Sequence, residues 1–253
     1  MIYQESSDIN EACKNLFNPP WNHILDSVLS GFQGRVLVDR LTSPQSALAI
    51  VGKGAPFAFL GGQVNEDLWM HLPKGDLIMV PQSSAWSNYL MTIKQHEVRP
   101  FIRYAMEAPQ KFNGQRINQM KQSLADSYSI SVINQQLFNQ CLEETWSKDL
   151  VSNLDNYSDF CQQALGFVIL NQGKIISGAS TFLPLANGIE IEVDTHPRYQ
   201  GQGLASIGVS YLINACLDRE WYPSWDAHTA ISRDFSKKFG YSVAFDYQAF
   251  EWK

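Results

Sequence analysis

The chain has 253 residues, of which 45% are hydrophobic and 17% charged, with a net charge of −6; this is enough apolar material for one large or two small globular domains. No apolar run approaches the roughly 20 residues of a membrane helix, the opening MIYQESSDINEACK puts acids where a signal peptide needs a basic start, and Cys13, Cys141, Cys161 and Cys216 form no CxxC pair, so the expectation is a cytoplasmic protein with reduced thiols and without a membrane span, a secretory leader or a zinc site. Residues 1–125 hold 10 acidic and 11 basic side chains and residues 126–253 hold 15 and 8, so the halves carry +1 and −7, a balance that serves solubility, argues against nucleic acid or an anionic membrane as partner, and favours a cationic ligand if a site lies there.

In chain order, PPWNHILDSVLSGFQG reads as a helix with Pro near its start and Gly at its end. The short apolar strands GRVLVDR, SALAIVG and APFAFLGG follow. A helix is expected from Ser84 to Gln95, then a strand around VRPFIRYAM and a connector, EAPQKFNGQ. His23, His71 and His96 are isolated, and the first block shows no constellation of reactive side chains. SALAIVGKGAPFAFLGG and QALGFVILNQGKIISGAS share a strand, Gly/Lys turn, strand pattern; chance is the preferred reading, with a degenerate duplicate as the alternative.

After a helix at NQMKQSLAD the second block is more regular. SYSISVIN reads as a strand, VINQQLFNQCLEETW and NYSDFCQQA as helices, and ALGFVILNQGKIISGASTFLP as a hairpin turning at Asn171-Gln172-Gly173. GIEIEVDT alternates strictly, with Glu190, Glu192 and Asp194 on one face and Ile191, Val193 and Thr195 on the other. A strand buried on both faces of a parallel sheet does not read this way. LASIGVSYLINACLDR is a helix, PSWDAH a short strand, SRDFSKKFG a helix closed by Gly240, and YSVAFDYQAFEW a final pair of strands or one bent strand. The order predicts an α+β fold with a mixed, mostly antiparallel sheet flanked by helices, preceded by a smaller α/β domain: residues 1–112, then 113–253.

Between the alternating strand and the following helix stands HPRYQGQGLA, residues 196–205. Glycines there let N–H groups point outward at a helix start, where partial positive charge suits a phosphate. A P-loop needs Gly-Lys-Ser/Thr, which is missing. A dinucleotide fingerprint needs a third Gly or Ala where Ser206 stands, and an acid at the next strand's end, whereas Asp218 and Glu220 fall at a helix end.

Gln200-Gly201-Gln202-Gly203-Leu204-Ala205 fits the pattern Gln/Arg-x-x-Gly-x-Gly/Ala and resembles the acyl-CoA pyrophosphate loop of the GNAT superfamily of N-acyltransferases. The resemblance runs from about residue 113 to the end, and EIEVDTHPRYQGQGLA with WDAHTAISRDFSKKFGY resembles a bacterial branch with an extra N-terminal domain. It implies acetyl transfer from acetyl-CoA to a small-molecule amine, by direct attack in a ternary complex; a homodimer is compatible with it. It also implies that the backbone of Val193 and Thr195, freed by a bulge, pairs with the pantetheine arm while the N–H groups of Gln200 through Ala205 cradle the pyrophosphate. Arg198, Arg233, Lys237 and Lys238 are basic residues within reach of such a site in sequence.

An alkylamine near neutral pH is an ammonium and must lose a proton to react. Glu190 is the preferred base because the branch carries an acid there, with Glu192 second. Alternation sets both opposite the pantetheine register unless a bulge turns one inward. The acid that protonates the thiolate is a Tyr in relatives, and here Ser236 stands in its place, leaving Tyr241, Tyr199 or water as substitutes; Thr229 replaces a frequent Asn beside the cofactor. These departures keep open a second reading, a non-catalytic acyl-CoA-binding sensor or scaffold.

Overall fold

Apolar runs become strands of two compact units in the computed structural model, which describes residues 3–4 and 11–253. Glu5 and Asp8, on which the reading of the N-terminus partly rests, lie outside the described residues. The first unit takes the described residues up to Ala105 together with 227–230 and 244–253; the second takes 106–226 and 231–243.

The first unit contains β1 (Tyr3–Gln4), α1 (His23–Leu29), β2 (Arg35–Val38), β3 (Ser46–Val51), β4 (Phe57–Gly62), α2 (Glu66–Trp69), β5 (Ile78–Pro81), α3 (Ser84–Thr92) and the start of β6 (Val98–Glu107). β1 to β4 pair in sequence order and antiparallel, and β5 joins β4 in parallel. Asn22 and Ser83 start α1 and α3 by accepting N–H groups of the first turn. The core gathers Leu48, Leu60, Met79, Trp86 and, from the end of the chain, Phe250.

The second unit contains α4 (Gly114–Gln122), β7 (Ser129–Val132), α5 (Gln135–Glu143), α6 (Tyr157–Gln163), β8 (Gly166–Asn171), β9 (Lys174–Leu185), β10 (Gly188–Thr195), α7 (Leu204–Leu217) and, apart from Ala227 and Ala230, which belong to the first unit, β11 (Tyr222–Ala227) and α8 (Ala230–Ser236). β12 (Ser242–Trp252) ends the chain as one strand, whose residues from 244 onward belong to the first unit. Again four strands, β7 to β10, pair in order and antiparallel, and the fifth, β11, joins β10 in parallel. The predicted hairpin turns at Gln172 and Gly173, with φ of 51° and 81°, as a two-residue turn with both central residues left-handed requires. Asn113, Asn134 and Asn156 cap α4, α5 and α6.

The two units therefore run through the same series of pairings. Helical segments precede three consecutive antiparallel strands, β2–β4 or β8–β10; a helix then crosses to a parallel strand, β5 or β11, and another helix follows. The sequence reading missed β1, α2 and β5. Each has four residues or fewer, too short for a period to show.

Candidate active site

β10 builds the centre of the site. Its pairing with β11 runs from Gly188 opposite Tyr222 to Glu190 opposite Ser224, although β10 continues to Thr195 and β11 to Ala227. On the other side, its register with β9 shifts between Glu190 and Ile191, leaving Phe182 of β9 as the extra residue of a bulge. Glu190, at the break, is only 2% exposed, and its Oε1 accepts the N–H of Asp226 on β11 at 2.5 Å. A carboxylate thus takes a backbone donor of the neighbouring strand just past the last paired residues.

Glu192 is half-buried, and its Oε1 accepts the N–H of Val193 at 3.0 Å. The Val193 N–H that the resemblance gives to pantetheine is held here by the neighbouring side chain, which a ligand would have to displace. The carbonyl of Thr195 accepts from Gln200 Nε2 at 3.3 Å, and its hydroxyl meets Ser177 Oγ at 2.8 Å.

The loop after β10 then turns on its glycines. Gly201 and Gly203 have φ of 77° and 80°, a left-handed backbone that side chains disfavour, and a Cβ at either would meet nothing within 4 Å. Gly203 caps α7 without a side-chain acceptor, so the N–H groups of the first turn, beginning with Leu204 and Ala205, have no partner within the helix. Side chains pin the loop from outside: Tyr128 donates to Gln202 Oε1 at 3.2 Å, and Asn171 donates to Tyr199 Oη at 3.1 Å. Both glutamines are used for position. Behind the loop, Leu204 and Ile207 pack on Ile169 and Ile176, which anchors the helix start to the sheet.

The remaining expected residues are committed elsewhere. Ser236 is fully buried, and its hydroxyl donates to the Arg233 carbonyl at 2.7 Å. Tyr241 is buried and donates to the Pro223 carbonyl at 2.6 Å; burial holds its phenol well above the ordinary range. Arg233 and Lys237 both bind Asp234, and Lys238 lies over the Phe235 ring. Arg198 is exposed beside the loop. Thr229 is exposed, in the turn from β11 to α8, among the residues that fold with the first unit.

The structure adds one carboxyl that the sequence reading left without a role. Asp194, on the same alternating face, is pushed up to about 6 by burial and by the charge of Asp149. Asp149 lies in the aperiodic stretch between α5 and α6, so no spacing in the sequence ties the two together. Among the described residues no group of three or more His, Cys, Asp or Glu could hold a metal ion, and no helix is long and apolar enough to cross a membrane.

Comparison with known proteins agrees with this architecture. The model of the GNAT acetyltransferase family matches residues 14–250, reaching far back into the block where the sequence showed no chemistry. A GCN5-related N-acetyltransferase-like protein from Streptococcus suis 89/1591 is 40% identical, with a TM-score of 0.91 over 97% of this chain and 100% of that one. YdfB of Bacillus subtilis (strain 168), an uncharacterized N-acetyltransferase, is 23% identical over 214 residues, 80% of this chain and 77% of that protein. A tandem GNAT protein from the clavulanic acid biosynthesis pathway shares the fold, at 13% identity and a TM-score of 0.51 over 97% of this chain and 87% of that one. By the family match over residues 14–250 and the 40% identity to the Streptococcus suis protein, the chain is an acyltransferase and belongs to the GNAT acetyltransferase family.

Proposed function

We propose that the protein transfers an acetyl group from acetyl-CoA to a primary amine of a small, cationic acceptor by direct attack. The observation that carries the reading is the loop at 200–205, where two left-handed glycines with open space above them lead into α7 soon after the strand whose pairing with β11 stops at Glu190. Such a turn offers backbone N–H groups to a pyrophosphate without any side chain in the way. Gln200 through Ala205 would hold that group, with Val193 and Thr195 alongside the pantetheine arm.

In the reaction, the ammonium of the acceptor gives a proton to Glu190, directly or through water, and the freed lone pair attacks the thioester carbonyl. The C–S bond then breaks and the thiolate takes a proton. Ser236 and Tyr241 already donate to backbone carbonyls, so water is the proposed donor. The −7 balance of residues 126–253 supports a cationic acceptor. We further propose that residues 1–112 are a GNAT-like half without a pyrophosphate loop. Support comes from the repeated series of pairings, and from Glu66 and Asp67 in the first turn of α2, where they oppose an anion.

Free-thiol release from acetyl-CoA across a panel of amines tests the transfer. Acetyl-CoA should raise the melting temperature while NADH does not, and Gly203→Val should abolish that shift. An unchanged shift in Gly203→Val overturns the loop assignment. A shift without thiol release from any amine points to the sensor or scaffold.

A further inference from the structure

The turn that leads into the loop at 200–205 is closed by a single residue. β10 ends at Thr195, and the His196 N–H adds one more bond to the Ile176 carbonyl at 3.0 Å. A 3-10 turn, Pro197–Tyr199, follows. Pro197 has no N–H to give. The Arg198 N–H goes to Nδ1 of the His196 ring at 3.2 Å, and the Tyr199 N–H goes to the His196 carbonyl at 2.8 Å. Because Nδ1 accepts, the ring of a neutral His196 carries its proton on Nε2. Every donor of the turn is thus taken by His196. From Gln200 to Ala205, by contrast, no N–H meets an acceptor among the described residues.

The imidazole does more than a Ser or Asn cap could. Its centroid lies 5.5 Å from the Trp146 ring and 5.7 Å from the Tyr199 ring, edge-on to both at 83° and 71°. Both neighbours are themselves held. Trp146 Nε1 donates to Glu144 Oε2 at 2.6 Å, and its indole packs on the cluster that contains Leu137 and Phe138. The Tyr199 ring meets Tyr128 at 6.3 Å, and Tyr128 in turn holds Gln202. A row of four rings, Trp146, His196, Tyr199 and Tyr128, therefore runs from the stretch after α5 to the loop itself.

The loop needs such a frame. Gly201 and Gly203 are free to take many backbone conformations, so the glycines by themselves impose no direction on the N–H groups around them. Donors that must be ordered when a ligand arrives bind it more weakly than donors already set. We infer that His196 is a positioning residue: its Nδ1 and its ring together fix the entry to the loop, and so the direction of the N–H groups at 200–205. The consequence for acetyl-CoA rests on the reading of that loop given above. His196 stands six positions beyond Glu190, roughly 20 Å along an extended strand, so it acts on cofactor binding and not on proton transfer.

Two full-length variants test this. His196→Ala removes both cap and ring, whereas His196→Asn restores an acceptor at the cap and removes only the ring. In calorimetric titration with acetyl-CoA, His196→Ala should bind about 5-fold or more weakly than wild type, and His196→Asn should fall between the two. Kinetics on the best acceptor should show the KM for acetyl-CoA rising in the same order while kcat stays within about 2-fold. Without any ligand, NMR of the free protein should show the Arg198 amide exchanging with solvent about 10-fold faster in His196→Ala and close to the wild-type rate in His196→Asn. Unchanged amide exchange in His196→Ala, unchanged acetyl-CoA affinity in that variant, a fall in kcat at constant KM, or no recovery in His196→Asn overturns the inference. A wild-type protein that binds no acetyl-CoA, yet loses Arg198 protection in His196→Ala, overturns the cofactor reading of the loop and leaves the positioning role standing.

Discussion

Replacing Asp194 by Asn should stabilise the protein, and by an amount that depends on pH. Burial and the Asp149 charge raise the Asp194 carboxyl from 3.8 to about 6, so folding favours its neutral form. The stability this contributes is fully present below pH 3.8 and is lost as pH rises through 6. At about 1.4 kcal/mol per pH unit, the full span costs about 3 kcal/mol at pH 8; the cost is about 1.6 kcal/mol at pH 5 and about 0.5 kcal/mol at pH 4. Asn keeps the shape and cannot ionise, so urea unfolding of the two proteins at pH 5, 6, 7 and 8 should show a gap in favour of Asp194→Asn that widens by about 1.4 kcal/mol over this range. Asp149→Asn should recover part of the same gap by removing the repelling charge. A gap that does not move with pH, or a variant less stable than wild type at pH 8, would refute the reasoning and show Asp194 to be a favourably paired anion.

Glu190→Gln should lower turnover by about 10²-fold with little change in acetyl-CoA affinity, and Glu192→Gln should cost less, as steady-state kinetics on the best acceptor will show. Gly188→Ala should destabilise by about 3 kcal/mol, measured by urea unfolding, because its Cβ would run into the Tyr222 carbonyl at the β10–β11 pairing. Among the cysteines, exposed Cys161 should react first with a disulfide reagent under native conditions, since burial pushes the thiols of Cys13, Cys141 and Cys216 up to about 11, 12 and 12. A cationic acceptor should outperform an anionic one such as glutamate, and kinetics at low and high ionic strength should show the advantage shrinking, as screening over about 8–10 Å requires.

The loop, the β8–β9 hairpin and α7 were legible because each rests on a local rule. Gly201 and Gly203 supply left-handed backbone, Gln172-Gly173 supplies a tight turn, and the apolar spacing of 204–217 supplies a helix. Relations between distant residues were not legible. Ser236 matches the position of a proton donor by spacing, yet its proton goes to a carbonyl three residues back, which spacing cannot reveal. The Asp226 N–H that meets Glu190 lies 36 residues away in the chain, and Asp149 sits where no period points to Asp194. The parallelism of the two units escaped for a related reason. It resides in which strands pair and in what direction, and backbone hydrogen bonds place little demand on side-chain identity.

The last ten residues of the chain carry a consequence for how the protein can be made. Residues 244–253 complete the first unit, where Phe250 is fully buried and pairs with Met79 of β5. During synthesis β2 to β5 must therefore wait for residues 244–253 before their core is whole, and at roughly 5–20 residues per second that wait is on the order of ten seconds. Until then the pocket for the Phe250 ring stands open to solvent and to other newly made chains. Loss of residues 244–253 would open the core that β3, β4 and β5 build far earlier in the chain.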